Sequence, residues 1–317
     1  MKTSTYTIWG VGIILLALSS GSLSAQTSSE RNDFRVTLLG TGSPDLSIER
    51  FGPSTLVEAG DLRLLFDVGR GATIRLNQTG VPLRDIDAVF LTHLHSDHVN
   101  GISDLWLTGW LPPAFGRRTT AFRIYGPTGT QEMMSHLEQA HQADIRIRVA
   151  DERLSASGIA IDAADVTEGI VYERERVRVT AFDVDHGDLI KPALGYRIDF
   201  RGRSVVLSGD TRVSTNLVSH ASGANVVIHE VMAIDDDLLA GSQAMQLVMA
   251  HHTSPEDAGG VFAEIQPALA VYSHIILVGG PSVDDLVRRT RATYAGALQV
   301  GSDLMTIDVT EHGAASR

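Results

Sequence analysis

The chain has 317 residues, 43% of them hydrophobic, with 26 Lys plus Arg against 38 Asp plus Glu. A formal charge of -12, with lysine only at Lys2 and Lys191, excludes the broad basic surface that neutralises nucleic-acid phosphates. The absence of cysteine excludes disulfides, thiolate metal ligands and lipid attachment at a thiol, while a mean hydropathy near zero leaves enough apolar material for a layered core.

Lys2 gives a short positive start, Ile8 to Leu18 is an apolar stretch too short to span a bilayer comfortably, and Ser22-Leu23-Ser24-Ala25 supplies small residues for cleavage. This pattern predicts a signal peptide over residues 1–25, with an uncleaved anchor as the alternative that length and flanks disfavour. The mature protein is then periplasmic or secreted and has no membrane attachment. No Pro-, Ser- or Gly-rich linker divides residues 26–317, which read as one domain.

Phe34 to Leu39 alternates as a strand and breaks at Gly40-Thr41-Gly42-Ser43-Pro44. These glycines form a turn rather than a phosphate cradle, because no Lys-Ser/Thr follows. Ser54 to Ala59 and Leu62 to Val68 predict a hairpin about Gly60-Asp61. Asp67, at the end of that second strand, either caps a helix starting over 70–72 or supports the loop that comes next. The apolar run 87–91 then delivers Thr92-His93-Leu94-His95-Ser96-Asp97-His98-Val99-Asn100-Gly101.

Three imidazoles and a carboxylate within six positions at the end of a buried strand cost desolvation unless something binds them, and a metal is the economical partner. His93 and His95 leave the same face of an extended backbone and can share one ion. Asp97 and His98 follow where the chain curls into a helix, and so point at a second position. Imidazole and carboxylate donors suit zinc, and the oxygen ligand leaves room for manganese or iron.

The segment His93-x-His95-x-Asp97-His98 followed by Gly101 resembles the signature of the metallo-β-lactamase superfamily, with the ribonuclease Z and secreted arylsulfatase branch nearest in pattern. The resemblance implies an α/β fold, an αββα sandwich of two mixed sheets flanked by helices, with a two-metal site at the strand edge. It also favours the supporting role for Asp67.

Beyond the metal loop, Val99 to Leu111 reads as a helix carrying Trp106 and Trp110, one turn apart, as core or as a pocket wall. Phe122 to Gly126 is a strand and Gly129 to Ala140 an amphipathic helix, on which His136 and His141 lack metal spacing. Ile145 to Tyr172 predicts strands. Val177 to Val184 leads to Asp185-His186-Gly187, and the following Gly195-Tyr196-Arg197-Ile198 is similar to the third metal motif of ribonuclease Z. By that resemblance His186 joins His93 and His95 on the first metal, and Asp210 in Ser208-Gly209-Asp210 bridges to the second.

Asn225 to Ile228 ends in His229-Glu230, Leu238 to Ala250 is helical before His251-His252-Thr253-Ser254, and Leu269 to Ser273 presents His274. These segments resemble the His-Glu motif, the His-Ser/Thr motif and the last ligand of ribonuclease Z, which places His274 with Asp97 and His98 on the second metal. Glu230 and His252 read either as a structural hydrogen bond or as catalytic groups beside Asp97. Ser254 caps the helix from Pro255. Asp303 to Val309 closes a sheet.

The implied enzyme is a dinuclear zinc hydrolase in which a metal-bridging hydroxide attacks a phosphodiester or related ester, with His252, polarised by Glu230, protonating the leaving oxygen. Only ten residues separate Arg197 from Ser208, where ribonuclease Z typically inserts a long arm that holds tRNA. A small anionic ester is therefore the expected substrate, with no stable nucleic-acid complex. Arylsulfatase and lactonase activity are the alternatives, a metal-dependent binding or regulatory protein is the non-enzymatic one, and a homodimer is left open.

Overall fold

The alternation read in the sequence produces two sheets whose inner faces meet. A computed structural model describes residues 1–4, 33–311 and 313–316, so the signal stretch and its cleavage site lie outside the described residues. Among the described residues no helix is long and apolar enough to cross a membrane.

The chain forms strands β1 (Phe34–Gly40), β2 (Ser54–Ala59), β3 (Leu62–Phe66), β4 (Ala88–Phe90), β5 (Phe122–Gly126), β6 (Ile161–Asp165), β7 (Gly169–Arg174) and β8 (Val177–Asp183). It continues with β9 (Leu194–Phe200), β10 (Arg203–Leu207), β11 (Val226–Ile234), β12 (Leu269–Val278), β13 (Leu298–Val300), β14 (Thr306–Thr310) and β15 (Gly313–Ser316). One sheet has the order β15-β14-β1-β2-β3-β4-β5-β6 and the other β13-β12-β11-β10-β9-β8-β7. Both are mixed: β3, β4, β5 and β6 run parallel in the first, as do β10, β11, β12 and β13 in the second.

Period-two burial assigns each strand two faces. Val36, Leu38, Val57, Leu64, Phe66 and Phe90 meet Tyr196, Ile198, Phe200, Val205 and Ile228 in the layer between the sheets. Their neighbours Leu39, Leu56, Leu65 and Val89 face the other way, onto the helices Ala72–Gln78 and Ile102–Trp110. Val206, Val227 and Ala270 likewise face the helices Thr215–Ala221, Pro255–Ile265 and Val283–Thr290. Three apolar layers between four structural ones make the expected αββα sandwich.

Several local expectations are corrected. Residues 142–151 form a helix, not a strand, and strands resume only at Ile161. The helix expected over 99–111 starts only at Ile102 and runs to Trp110, set off by Asn100–Gly101 from the one-turn helix Ser96–Val99, and that expected over 238–250 is broken at Ser242 into Asp236–Gly241 and Gln243–Met249. Trp106 and Trp110 are core: both are buried, and their Nε1–H groups donate to the carbonyls of Ile159 and Ser155 at 3.0 and 2.8 Å. Strand β12 runs on through His274 instead of ending before it. Its pairing with β11 slips between His229 and Val231, and His274 takes a φ of 44°, which turns its side chain at the bulge.

Candidate metal centre

The C-terminal ends of β4, β8 and β10, with bulged β11 and β12, gather at one rim of the sandwich. Leaving β4, the chain stays extended through His95 and then curls into the one-turn helix Ser96–Val99. Its tight seat depends on two glycines. A Cβ on Gly101 would lie 2.5 Å from the Gly69 carbonyl oxygen, and one on Gly69 would lie 2.6 Å from that of Asp97. Only glycine allows the loop after β3 and the metal loop to approach this closely.

All seven predicted ligands come together. His93, His95, His186 and Asp210 each bring one donor atom into a set within 4.8 Å of one another, and Asp97, His98 and His274 form a second such set. Asp210 Oδ2 stands between them, 3.8 Å from Nε2 of both His93 and His186, 3.3 Å from His98 Nε2 and 3.2 Å from His274 Nε2. His274 Nε2 also lies 3.3 Å from Asp97 Oδ2, and His95 directs Nδ1 to within 3.3 Å of His186 Nε2.

Hydrogen bonds behind the rings fix their tautomers. Asp67 accepts the Thr92 backbone N–H at 2.8 Å, the Thr92 hydroxyl at 2.9 Å and His98 Nδ1–H at 2.8 Å. With the Thr92 proton committed to Asp67, Thr92 Oγ1 accepts from His93 Nδ1–H at 3.1 Å. His186 Nδ1–H donates to the His251 carbonyl at 2.9 Å. In each case the remaining Nε2 lone pair faces the centre, as metal ligation requires. Asp67 is thus a support and not a helix cap. The helix Ala72–Gln78 has Gly71 at its N-cap and no side-chain cap.

His93 Nε2, His98 Nε2 and Asp210 Oδ1 are buried and make no hydrogen bond. Buried polar atoms that converge without partners are costly unless an ion completes them, so the residues present fit a pair of divalent cations. The charge states of His93 and Asp210 are already biased toward that, whereas, against the effect of burial, the Asp210 and Asp67 carboxylates raise His98, so that a cation would have to displace a proton there. Burial and the neighbouring His98 hold His93 well below its ordinary value, neutral and ready to donate a lone pair. Against the opposing effect of burial, the His274 and His98 imidazoles keep Asp210 well below the usual carboxylate range.

Beside these sets, His252 groups with Asp210 and His274. Its Nδ1 is 3.2 Å from Glu230 Oε1, which also accepts the backbone N–H groups of Thr253 at 3.0 Å and Thr211 at 3.3 Å. Burial opposes protonation of His252, but the adjacent Glu230 carboxylate pushes it up to about 9. His229 stands apart: its ring is fully buried against Phe262 on the helix side of the sheet. His136 is exposed, and His141 lies within 3.2 Å of Ser103 Oγ, away from the rim.

Sequence reading overlooked Thr92 and the His251 carbonyl, since neither residue type signals a supporting role by itself. It also overlooked a cleft of 560 Å³ that opens from the centre between the 42–50 loop and the end of β12.

A model of the β-lactamase superfamily domain matches residues 63–275. The chain is 35% identical over 276 residues to a ribonuclease Z of Mycolicibacterium paratuberculosis, covering 86% of this chain and 98% of the relative. Among solved structures, the metallo-β-lactamase fold protein YhfI of Bacillus subtilis superposes with a TM-score of 0.66 at 19% identity, covering 86% of this chain and 98% of that one. Human tRNase Z, short form, superposes with a TM-score of 0.65 at 20% identity, covering 87% and 99%.

Proposed function

Since the chain belongs to the β-lactamase superfamily and is a ribonuclease Z-like, metal-dependent hydrolase within it, we propose that it is an exported enzyme acting on small phosphodiesters. The observation that carries this reading is Asp210 Oδ2, shared between two sets of nitrogen and oxygen donors, with the Glu230–His252 pair at its side.

His93, His95 and His186 would hold one cation, Asp97, His98 and His274 the other, with Asp210 between them. The donor types favour zinc, with manganese or iron as substitutes. When bound, such a pair supplies Lewis acidity toward the phosphoryl group and toward water. The chain's own groups handle the protons. As water oxygen bonds to phosphorus and the ester P–O bond breaks, His252 stands to give its proton to the departing oxygen. Glu230 holds the imidazole in place through Nδ1, and Asp97 is the carboxylate placed to take the proton that water releases.

Export rests on the apolar stretch 8–18 and the small residues over 22–25. The short connection between Arg197 and Ser208 does not separate this chain from relatives named ribonuclease Z, since the alignment covers 98% of the first. What disfavours tRNA is the charge of -12 and the scarcity of lysine.

The test is a rate comparison at matched metal content on bis(4-nitrophenyl) phosphate, 4-nitrophenyl sulfate and a lactone. Fastest turnover of the phosphodiester supports the reading. Preference for the sulfate or the lactone replaces the substrate class, and zero turnover of all three by metal-loaded protein favours a binding role. Mass analysis of the protein recovered outside the cytoplasm, showing loss of about 25 residues, tests export.

A further inference from the structure

The cleft that opens from the centre has two unlike sides. Its floor is His95, Asp97, Asp210, His252 and His274, whereas one wall is aliphatic: Met232, Met245, Val248, Ile276 and Val278. The opposite wall is the 42–50 loop with Arg50, whose Nη1 is already held by Thr41 Oγ1 and the Gly301 carbonyl, both at 2.7 Å. Apolar side chains also crowd the segments at the mouth: Leu46 and Ile48 on that loop are 78% and 86% exposed, and Leu247 beside Val248 is 59% exposed.

This lining selects among diesters. A nucleotide limb needs an aromatic platform for its base and cations for further phosphates. Among the described lining residues there is no Phe, Tyr or Trp, and the one arginine, Arg50, already spends Nη1 on Thr41 Oγ1 and the Gly301 carbonyl. An aliphatic wall with two methionines instead favours a flexible hydrocarbon, because thioether side chains repack around varied apolar shapes. The helix Gln243–Met249 that carries Met245 and Val248 has no buried residue of its own, so packing within the fold does not account for their apolar character.

We propose that the cleft is a subsite for an aliphatic limb, making the preferred substrate a phosphodiester with one alkyl or acyl-bearing arm. This rests on the hydrolase reading above. Turnover of methyl, butyl and octyl 4-nitrophenyl phosphates, and of thymidine 5′-(4-nitrophenyl phosphate), should then show kcat/KM rising about two- to fourfold per methylene while the chain still lies in the cleft. The octyl ester should exceed the nucleotide ester by at least about tenfold, and Val248→Asp or Met245→Glu should collapse the octyl-to-methyl ratio toward one. Calorimetry with octylphosphonate and methylphosphonate reads the same subsite without turnover, with tighter binding of the octyl compound expected.

Measurable turnover with a flat series, or a preference for the nucleotide ester, overturns the subsite. If no diester turns over, the hydrolase reading fails by itself, and equal affinity for the two phosphonates then overturns the subsite as well.

Discussion

Asp67 Oδ2 accepts the Nδ1–H of His98 across 2.8 Å, joining residues 31 positions apart, and the same carboxylate anchors Thr92 at the start of the metal loop. One buried side chain therefore sets the orientation of the second-metal histidine and, through the Thr92 hydroxyl, that of His93. Asp67→Asn removes the charge and half of this acceptor capacity. The expected outcome is a fall in metal affinity of about 10- to 100-fold with the fold retained, measured by chelator competition and circular dichroism.

Chelation should separate fold from activity. The sandwich has three apolar layers that do not involve the centre, so stripped protein should keep its secondary structure and lose turnover. Its thermal midpoint should drop, because His93 Nε2, His98 Nε2 and Asp210 Oδ1 are left buried without partners. Zinc added back should restore both. His95→Ala and Asp210→Ala should likewise abolish turnover with little change in circular dichroism, and normal activity in either would defeat the assignment of the centre.

The Glu230–His252 pair gives a prediction that depends on the leaving group. If His252 protonates the departing oxygen, His252→Ala should lower kcat by about 10²- to 10⁴-fold on an alkyl ester, whose alkoxide leaves poorly. On a nitrophenyl ester, whose leaving group needs no proton, the loss should be much smaller. Equal losses on both would assign the pair to structure, as would Glu230→Gln behaving identically on the two substrates.

The sequence already carried the candidate ligands, because His93, His186 and Asp210 follow apolar strands closely and an unpaired polar residue there is conspicuous. It carried the layered fold for the same reason, since residues such as Val36, Leu38, Leu39 and Leu56 alternate cleanly between faces. Elements whose cause is nonlocal were hidden. The positive φ of His274 comes from a bulge between two parallel strands. The helix over 142–151 has weak amphipathicity and a single buried residue, Ile145, so its periodicity was faint. The residues around Asp67 left cap and support equally open, because its partners, Thr92 and His98, lie far along the chain.

Asp303 was hidden in the same way, reading only as the first residue of a strand. Its carboxylate, 4% exposed, accepts the Thr41 backbone N–H and hydroxyl at 2.9 Å, the Phe51 N–H at 2.8 Å and Arg75 Nε at 3.0 Å. It thereby pins both ends of the loop that walls the cleft. Removing one partner of a buried charged network is costly, so Asp303→Ala should destabilise the protein by about 3 kcal/mol in urea unfolding. KM for an alkyl diester should rise as the loop loosens, whereas metal content should be unchanged.

Acid stability can be traced to a pair on the opposite layer. Arg289 grips both carboxylate oxygens of Glu256 at 2.7 and 2.8 Å and ties the helix Val283–Thr290 to the helix Pro255–Ile265. The hydrogen bonds from Arg289 hold the Glu256 carboxyl below its ordinary value. A carboxylate depressed in the folded state stabilises it above the unfolded value, near 4.3, and that stability is lost as pH falls through the lower folded value. The Glu256 side chain is 45% exposed, so solvent screening limits the contribution to less than about 1 kcal/mol. Glu256→Gln should therefore lower the urea midpoint slightly at pH 7. The difference should close as pH falls through the depressed folded value, where the wild-type carboxylate is itself protonated. A gap between the two proteins that persists unchanged below that value would show that the side chain acts through packing rather than through its charge.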